Sequence, residues 1–137
     1  MQEINIIDIL TEIQNKCRAI EDKIRKSLGL LLAEYKALLC IKIGEKITCH
    51  EFSERMGLSL SRGSRIIEKL FQQGFIDRLD CTADRRSKNV ILTKSGRKIC
   101  GKINKSRQKC EDRLAASYSR DRYNALKDEL RSLAQKL

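Results

Sequence analysis

The sequence predicts a mainly α fold with a small β-hairpin wing, in which a helix-turn-helix is flanked by a long helix at each end. Three observations predict it. The 137 residues include no proline, the residue that most often breaks helices. Apolar residues recur at steps of three and four near both ends. The run Ser59 to Thr93, SLSRGSRIIEKLFQQGFIDRLDCTADRRSKNVILT, passes from an Arg-studded helical pattern through Gly74 into two short apolar runs around a polar loop.

The elements follow in order. Ile6, Ile9, Leu10, Ile13, Cys17, Ile20 and Ile24 form one stripe on a helix from Ile6 to Leu28, interrupted at Gly29. A second helix is expected from Leu32 to Ile43, with Gly44 as its C-terminal cap. Thr48 and Glu51 have the spacing of a capping box for a short helix to Met56, closed by Gly57. Ser59 or Ser61 opens the next helix, which runs to about Gln73 and stops at Gly74. Helix, tight turn and helix make a helix-turn-helix. Phe75, Ile76 and Leu79 predict a strand, Val90, Ile91 and Leu92 its partner, and Asp80 to Asn89 the hairpin tip. Thr93 or Ser95 starts a helix with the stripe Ile99, Ile103, Cys110 and Leu114. The last helix carries Tyr123, Leu126, Leu130, Leu133 and Leu137, a narrow seam suited to another helix.

This length fits one domain over residues 1–137, with 32–100 as the winged helix-turn-helix. The end segments 1–31 and 111–137 carry stripes that a small central unit covers poorly. A homodimer that buries them together is expected. The plainer alternative is a monomer in which they fold back on their own winged unit.

Charge narrows the function. Lys and Arg number 29 against 18 Asp and Glu, a net +11, and a small protein with that excess usually meets a polyanion. A membrane-surface helix would want aromatic anchors, and the chain has no Trp and three Phe. The low aromatic content also disfavours a single-strand binder that stacks bases. No stretch reaches the roughly 18 apolar residues of a membrane span, and MQEINIID does not read as a signal peptide. A cytoplasmic protein is expected, whose six Cys are reduced thiols rather than a disulfide framework.

On the helix from Ser59, the residues Leu60, Gly63, Ile67, Leu70 and Phe71 are expected on one side. Ser61, Arg62, Arg65, Lys69 and Gln72 fall on the other, with Ser64 near the edge. Short hydroxyl side chains and free N–H groups in the first turn suit close approach to a duplex. Arg62 and Arg65 have the fork that reads guanine in the major groove, and Lys69 suits phosphate. In the hairpin tip Arg85, Arg86 and Lys88 suit the minor groove, where negative potential is strongest. Asp84 can brace a guanidinium there. From Asp77 to Lys109 eleven basic residues face three acidic ones, a difference of eight out of the net +11.

The text LSLSRGSRIIEKLFQQGFIDR followed by DRRSKNVILTKSG resembles the MarR family of winged-helix transcriptional regulators. The residues that carry the resemblance are Ser59, Ser61, Ser64, Arg65, Leu70, Gly74, Arg78, Asp84, Arg85, Arg86, Leu92, Thr93 and Gly96. The resemblance implies a homodimer on a pseudo-palindromic double-stranded operator, with the recognition helix in the major groove and the wing in the minor groove. It implies DNA contacts from the helix and wing residues above, Arg78 among them, with Arg86 in the minor groove. Arg62 stands where many relatives carry Thr. The family consists mostly of repressors released by a small molecule, a metal or an oxidant.

Cys17 in the first helix and Tyr35 in the second resemble the pairing in hydroperoxide-sensing relatives, which makes them the candidate redox sensor. The competing reading is a small buried hydrophobe. No metal site or cofactor is expected, since the chain has one His, His50, and an adjacent Cys49–His50 pair diverges by roughly 100° on a helix. An enzyme is not expected either, for want of a phosphate loop or a paired catalytic base. The functional alternative is a nonspecific, architectural DNA-binding protein.

Overall fold

The computed structural model describes residues 3–80 and 88–137. The elements run α1 (Ile6–Ser27), α2 (Leu32–Leu39), β1 (Ile47–Thr48), α3 (Cys49–Met56), α4 (Leu60–Gln72), β2 (Ile76–Asp80), β3 (Lys88–Leu92), α5 (Lys94–Ala116) and α6 (Arg120–Lys136). The protein is thus mostly helical with one small antiparallel sheet, ordered β1-β3-β2. Ile76 pairs with Leu92, Arg78 with Val90, and Asp80 with Lys88. The chain divides into two compact units, residues 1–103 and 104–137.

The first unit has a continuous apolar core. Tyr35 and Leu38 from α2, Phe52 from α3, Ile67 and Leu70 from α4, Ile76 and Val90 from the sheet, and Ile103 from α5 are all buried. Each such side chain stabilises the fold by about 1.5–3 kcal/mol relative to exposure. This shared core fixes α4 and the hairpin on one support. By contrast, α1 buries only Ile24, and Ile6, Ile9, Ile13 and Ile20 stay 55%, 41%, 44% and 43% exposed.

The helix-turn-helix is set by local chemistry. Thr48 caps α3 by accepting from the Glu51 N–H at 3.1 Å. Gly57 ends α3 at φ 67°, a left-handed conformation that a side chain resists. Ser59, one of the two expected starts, caps α4 by accepting from the Arg62 N–H at 3.3 Å. Gly63 lets α3 and α4 meet closely, because a Cβ there would lie 1.9 Å from Ser53 Oγ. Thr93 is the residue that opens α5, accepting from the Gly96 N–H at 3.0 Å while its hydroxyl donates to the Gly74 carbonyl at 2.5 Å.

Three expectations fail. First, α2 stops at Leu39 rather than Ile43, and Gly44 lies in a turn rather than at a helix cap. Two tertiary partners and one local one take the backbone groups that would have continued the helix. The Cys40 carbonyl accepts from Arg55 at 2.9 Å, the Lys42 N–H donates to Glu45 at 3.1 Å, and the Leu38 carbonyl meets the Cys100 thiol at 3.6 Å. Second, a third strand exists: β1 pairs Ile47 with Val90. Third, Asp80, Lys88 and Asn89 belong to the strands, so the hairpin tip is shorter than Asp80 to Asn89.

In the second unit, Ser119 caps α6 through the Arg122 N–H at 3.3 Å. The rings of Tyr118 and Tyr123 lie 6.4 Å apart. The Tyr123 hydroxyl donates to Glu111, which raises the phenol pKa, and partial burial adds to the shift. No residue of α6 is buried, and Leu130 and Leu137 are exposed. Among the described residues, no helix is long and apolar enough to cross a membrane.

Candidate nucleic-acid interface

The core takes one arc of α4. Gly63, Ile67 and Leu70 are buried and Ile66 is half-buried, so at roughly 100° per residue the arc centres between Ile67 and Leu70. Leu60 and Phe71 fall at its margin. They lie on the expected side but are 53% and 43% exposed, so the core covers only part of it. The opposite arc carries Ser61, Arg62, Ser64, Arg65, Lys69 and Gln72, all exposed. Among the described residues, no ion pair engages Arg62, Arg65 or Lys69. Three cations on one helix face are therefore hydrated, and their charge is available to an incoming anion.

Ser59 is exposed, but its hydroxyl is already used as the α4 cap, 3.5 Å from Ser61 Oγ. Its role here is to start the helix and leave the first-turn N–H groups facing outward. On α5, Lys94, Lys98 and Lys102 are exposed and fall within about 80° of arc, on the side away from buried Gly96, Cys100 and Ile103. This adds cationic surface to the same unit.

Arg78 sits differently from the other candidates. Its guanidinium lies 4.1 Å from the centroid of the Phe71 ring and donates to the Glu68 carboxylate. The period of α4 places Phe71 among the apolar residues but carries no signal that Arg78, across a turn, pairs with it and with Glu68. Asp84, Arg85 and Arg86 lie outside the described residues, and Lys88 is the first residue of β3.

A second unforeseen element lies between α3 and the turn after α2. Arg55 binds Glu45 through both guanidinium nitrogens, at 2.9 and 2.5 Å. That bond, with the Lys42 N–H, holds the Glu45 carboxyl down to about 2. It ties the turn after α2 to α3.

Cys17 and Tyr35 do not share a surface. Cys17 is exposed and lines a cavity of about 340 Å³ with Gln14, Arg18, Arg25, Leu32 and Lys36 among its neighbours. Tyr35 is fully buried in the core. Burial raises the thiol pKa of Cys40, which nearby Arg55 partly offsets, and also that of Cys100. His50 is exposed and pairs with Glu54 at 3.1 Å. Among the described residues, no three His, Cys, Asp or Glu side chains form a group that could hold a metal.

Comparison with known proteins agrees with this geometry. The family model described as MarR family matches residues 30–88, from just before α2 to the start of β3. The transcriptional repressor MprA of Escherichia coli is 26% identical over 138 aligned residues, spanning 99% of this chain and 76% of that protein. The crystal structure of a point mutant of MarR from Escherichia coli superposes with a TM-score of 0.78 at 21% identity, covering 98% of this chain and 99% of that one. A structure of that mutant complexed with operator DNA superposes with a TM-score of 0.73 at 22% identity over 92% and 91% of the two chains. At these identities the superpositions show the fold. Relatives and fold alike are those of transcriptional regulators rather than enzymes. Residues 30–88 thus match the MarR family model, and the chain shares the winged-helix fold of the MarR structures.

Proposed function

We propose that this protein is a sequence-specific DNA-binding repressor that acts as a homodimer on a pseudo-palindromic operator. The observation that carries the reading is the open face of α4: Ser61, Arg62, Ser64, Arg65 and Lys69 are exposed together, while Ile67 and Leu70 bind the opposite side to the core. A helix held this way presents a rigid, cationic, hydrogen-bonding edge of the width a major groove admits. Arg62 and Arg65 read base edges, and Ser61, Ser64 and Lys69 fix the register on phosphates. Arg85, Arg86 and Lys88 extend the contact into the minor groove, with Asp84 bracing Arg86. Operator DNA in a related complex and the repressor name of MprA support duplex DNA as partner and repression as outcome.

The dimer rests on the exposed isoleucines of α1 and the open seam of α6. Exposed apolar area of this kind seeks cover, and two copies supply it to each other.

Competition against random duplex DNA at physiological salt tests the reading. Specific binding should survive a 10³-fold or larger excess of competitor sites, and Arg65→Ala should lose about 1–3 kcal/mol together with base preference. Equal displacement by every sequence would leave the architectural alternative.

Release by an effector is the second part of the proposal, and the exposure of Cys17 on its cavity favours a thiol trigger. Peroxide should lower operator binding by wild type and leave Cys17→Ser unaffected. Equal loss in both would remove Cys17 as the sensor.

A further inference from the structure

We propose that Glu68, Phe71 and Arg78 form a clasp that fixes the β2–β3 hairpin against α4, making Arg78 a positioning residue rather than a DNA contact. Side chains alternate along a strand, so Arg78 shares the core-facing side of β2 with buried Ile76. That side meets the margin of α4, where Glu68 and Phe71 stand three positions apart and project in nearly the same direction.

The guanidinium is occupied in two ways. Its face covers the Phe71 ring at 4.1 Å, and one edge donates to Glu68 Oε2. Its Nε–H is buried with no hydrogen-bond partner among the described residues, so the group is held in place at some cost. Gln72 steadies the other Glu68 oxygen, donating at 3.4 Å. The Arg78 side chain keeps 25% of its surface exposed and that of Glu68 keeps 47%. If Arg78 instead turned to a phosphate, it would leave the Glu68 carboxylate facing that same anion, a repulsion that opposes binding.

Chemistry explains why this residue is Arg. A planar guanidinium stacks on a ring and bonds a carboxylate at once, and an ammonium does not. A half-exposed pair of this type adds little to global stability. Its effect is directional. In the order β1-β3-β2 the strand β2 is an edge, and the clasp ties that edge to the helix that would read the groove.

The clasp rests on the DNA-reader proposal for its functional consequence but not for its existence, and the experiment separates the two. Wild type, Arg78→Ala, Glu68→Gln and the exchange Glu68→Arg with Arg78→Glu are compared on one duplex selected by wild type. Arg78→Ala and Glu68→Gln should each weaken binding about tenfold, with the salt dependence unchanged and protection lost at the outer positions but kept at the centre. The exchange should recover part of the loss. In the DNA-free proteins, amide exchange in β2 and β3 should accelerate in both single variants while α4 stays protected. Glu68→Gln retains Arg78 and carries the same readouts should Arg78→Ala fail to fold.

The clasp is overturned if exchange in β2 and β3 is unchanged. It is also overturned if Arg78→Ala lowers the salt slope by about 0.9, as loss of a phosphate contact does, while Glu68→Gln leaves binding unchanged or tighter. Absence of sequence preference in wild type would break the reader proposal alone, and the DNA-free exchange would still decide the clasp.

Discussion

Helices α1 and α4 are both amphipathic, yet the molecule treats them oppositely. The apolar arc of α4 is sealed by its own chain, with Ile67 at 2% and Leu70 at 0% exposure, whereas Ile9 and Ile13 of α1 remain more than two-fifths exposed. One stripe is a core and the other is an open edge. The difference teaches where the polar side of each helix matters. Because α4 is anchored from behind, its Arg and Ser side chains are held in a defined array. Because α1 is not, its apolar side is the part that awaits a partner.

Three variants break or sharpen the contrast. Leu70→Ala should cost about 2–5 kcal/mol through the lost side chain and the cavity it leaves, seen in denaturant unfolding. Ile13→Ala should cost far less in a dilute, monomeric sample, and equal losses would contradict the sealed-versus-open distinction. Ile9→Asp combined with Ile13→Asp should leave the helical signal of the chain intact and shift sedimentation from two chains to one. Affinity for a two-half operator should then fall by about 10²-fold or more as the second half-site contact ceases to be intramolecular. A dimer that survives both charges would place the interface elsewhere.

The smallest effect concerns the tie between α3 and the turn after α2. The Glu45 carboxyl, held near 2 against an ordinary 4.5, contributes stability at pH values above its ordinary range and loses it as pH falls through about 2. Glu45→Gln should therefore melt slightly earlier at neutral pH, with the difference closing in acid. A pH-independent difference would show that the pair with Arg55 is not what holds the turn.

Much of this was legible in the sequence, for physical reasons particular to each element. The start of α3 at Thr48 and its stop at Gly57 are written by one hydroxyl and one glycine, so local chemistry sufficed. The outward array of α4 followed from its period. What failed depends on distant partners. The early end of α2 is marked by Arg55 and Cys100 capturing the Cys40 and Leu38 carbonyls. The two residues of β1 are too few to show alternation, and pairing with β3 defines them. Phe71 looks like core in the pattern, but it lies at the margin of the buried arc, where Arg78 covers it. The DNA contacts read from Arg85 and Arg86 fall outside the described residues and stand as proposals.

The central claim is that the open face of α4 reads base sequence in two copies held by symmetry. Selection of bound duplexes from a random pool, using the full chain at physiological salt, tests it most directly. Selection should enrich a two-fold symmetric motif whose half-sites lie about one helical turn, 10–10.5 bp, apart. Enrichment that disappears with Arg62→Ala and Arg65→Ala would assign the reading to α4. A pool that stays random after repeated rounds, with binding that depends on salt alone, would contradict the account.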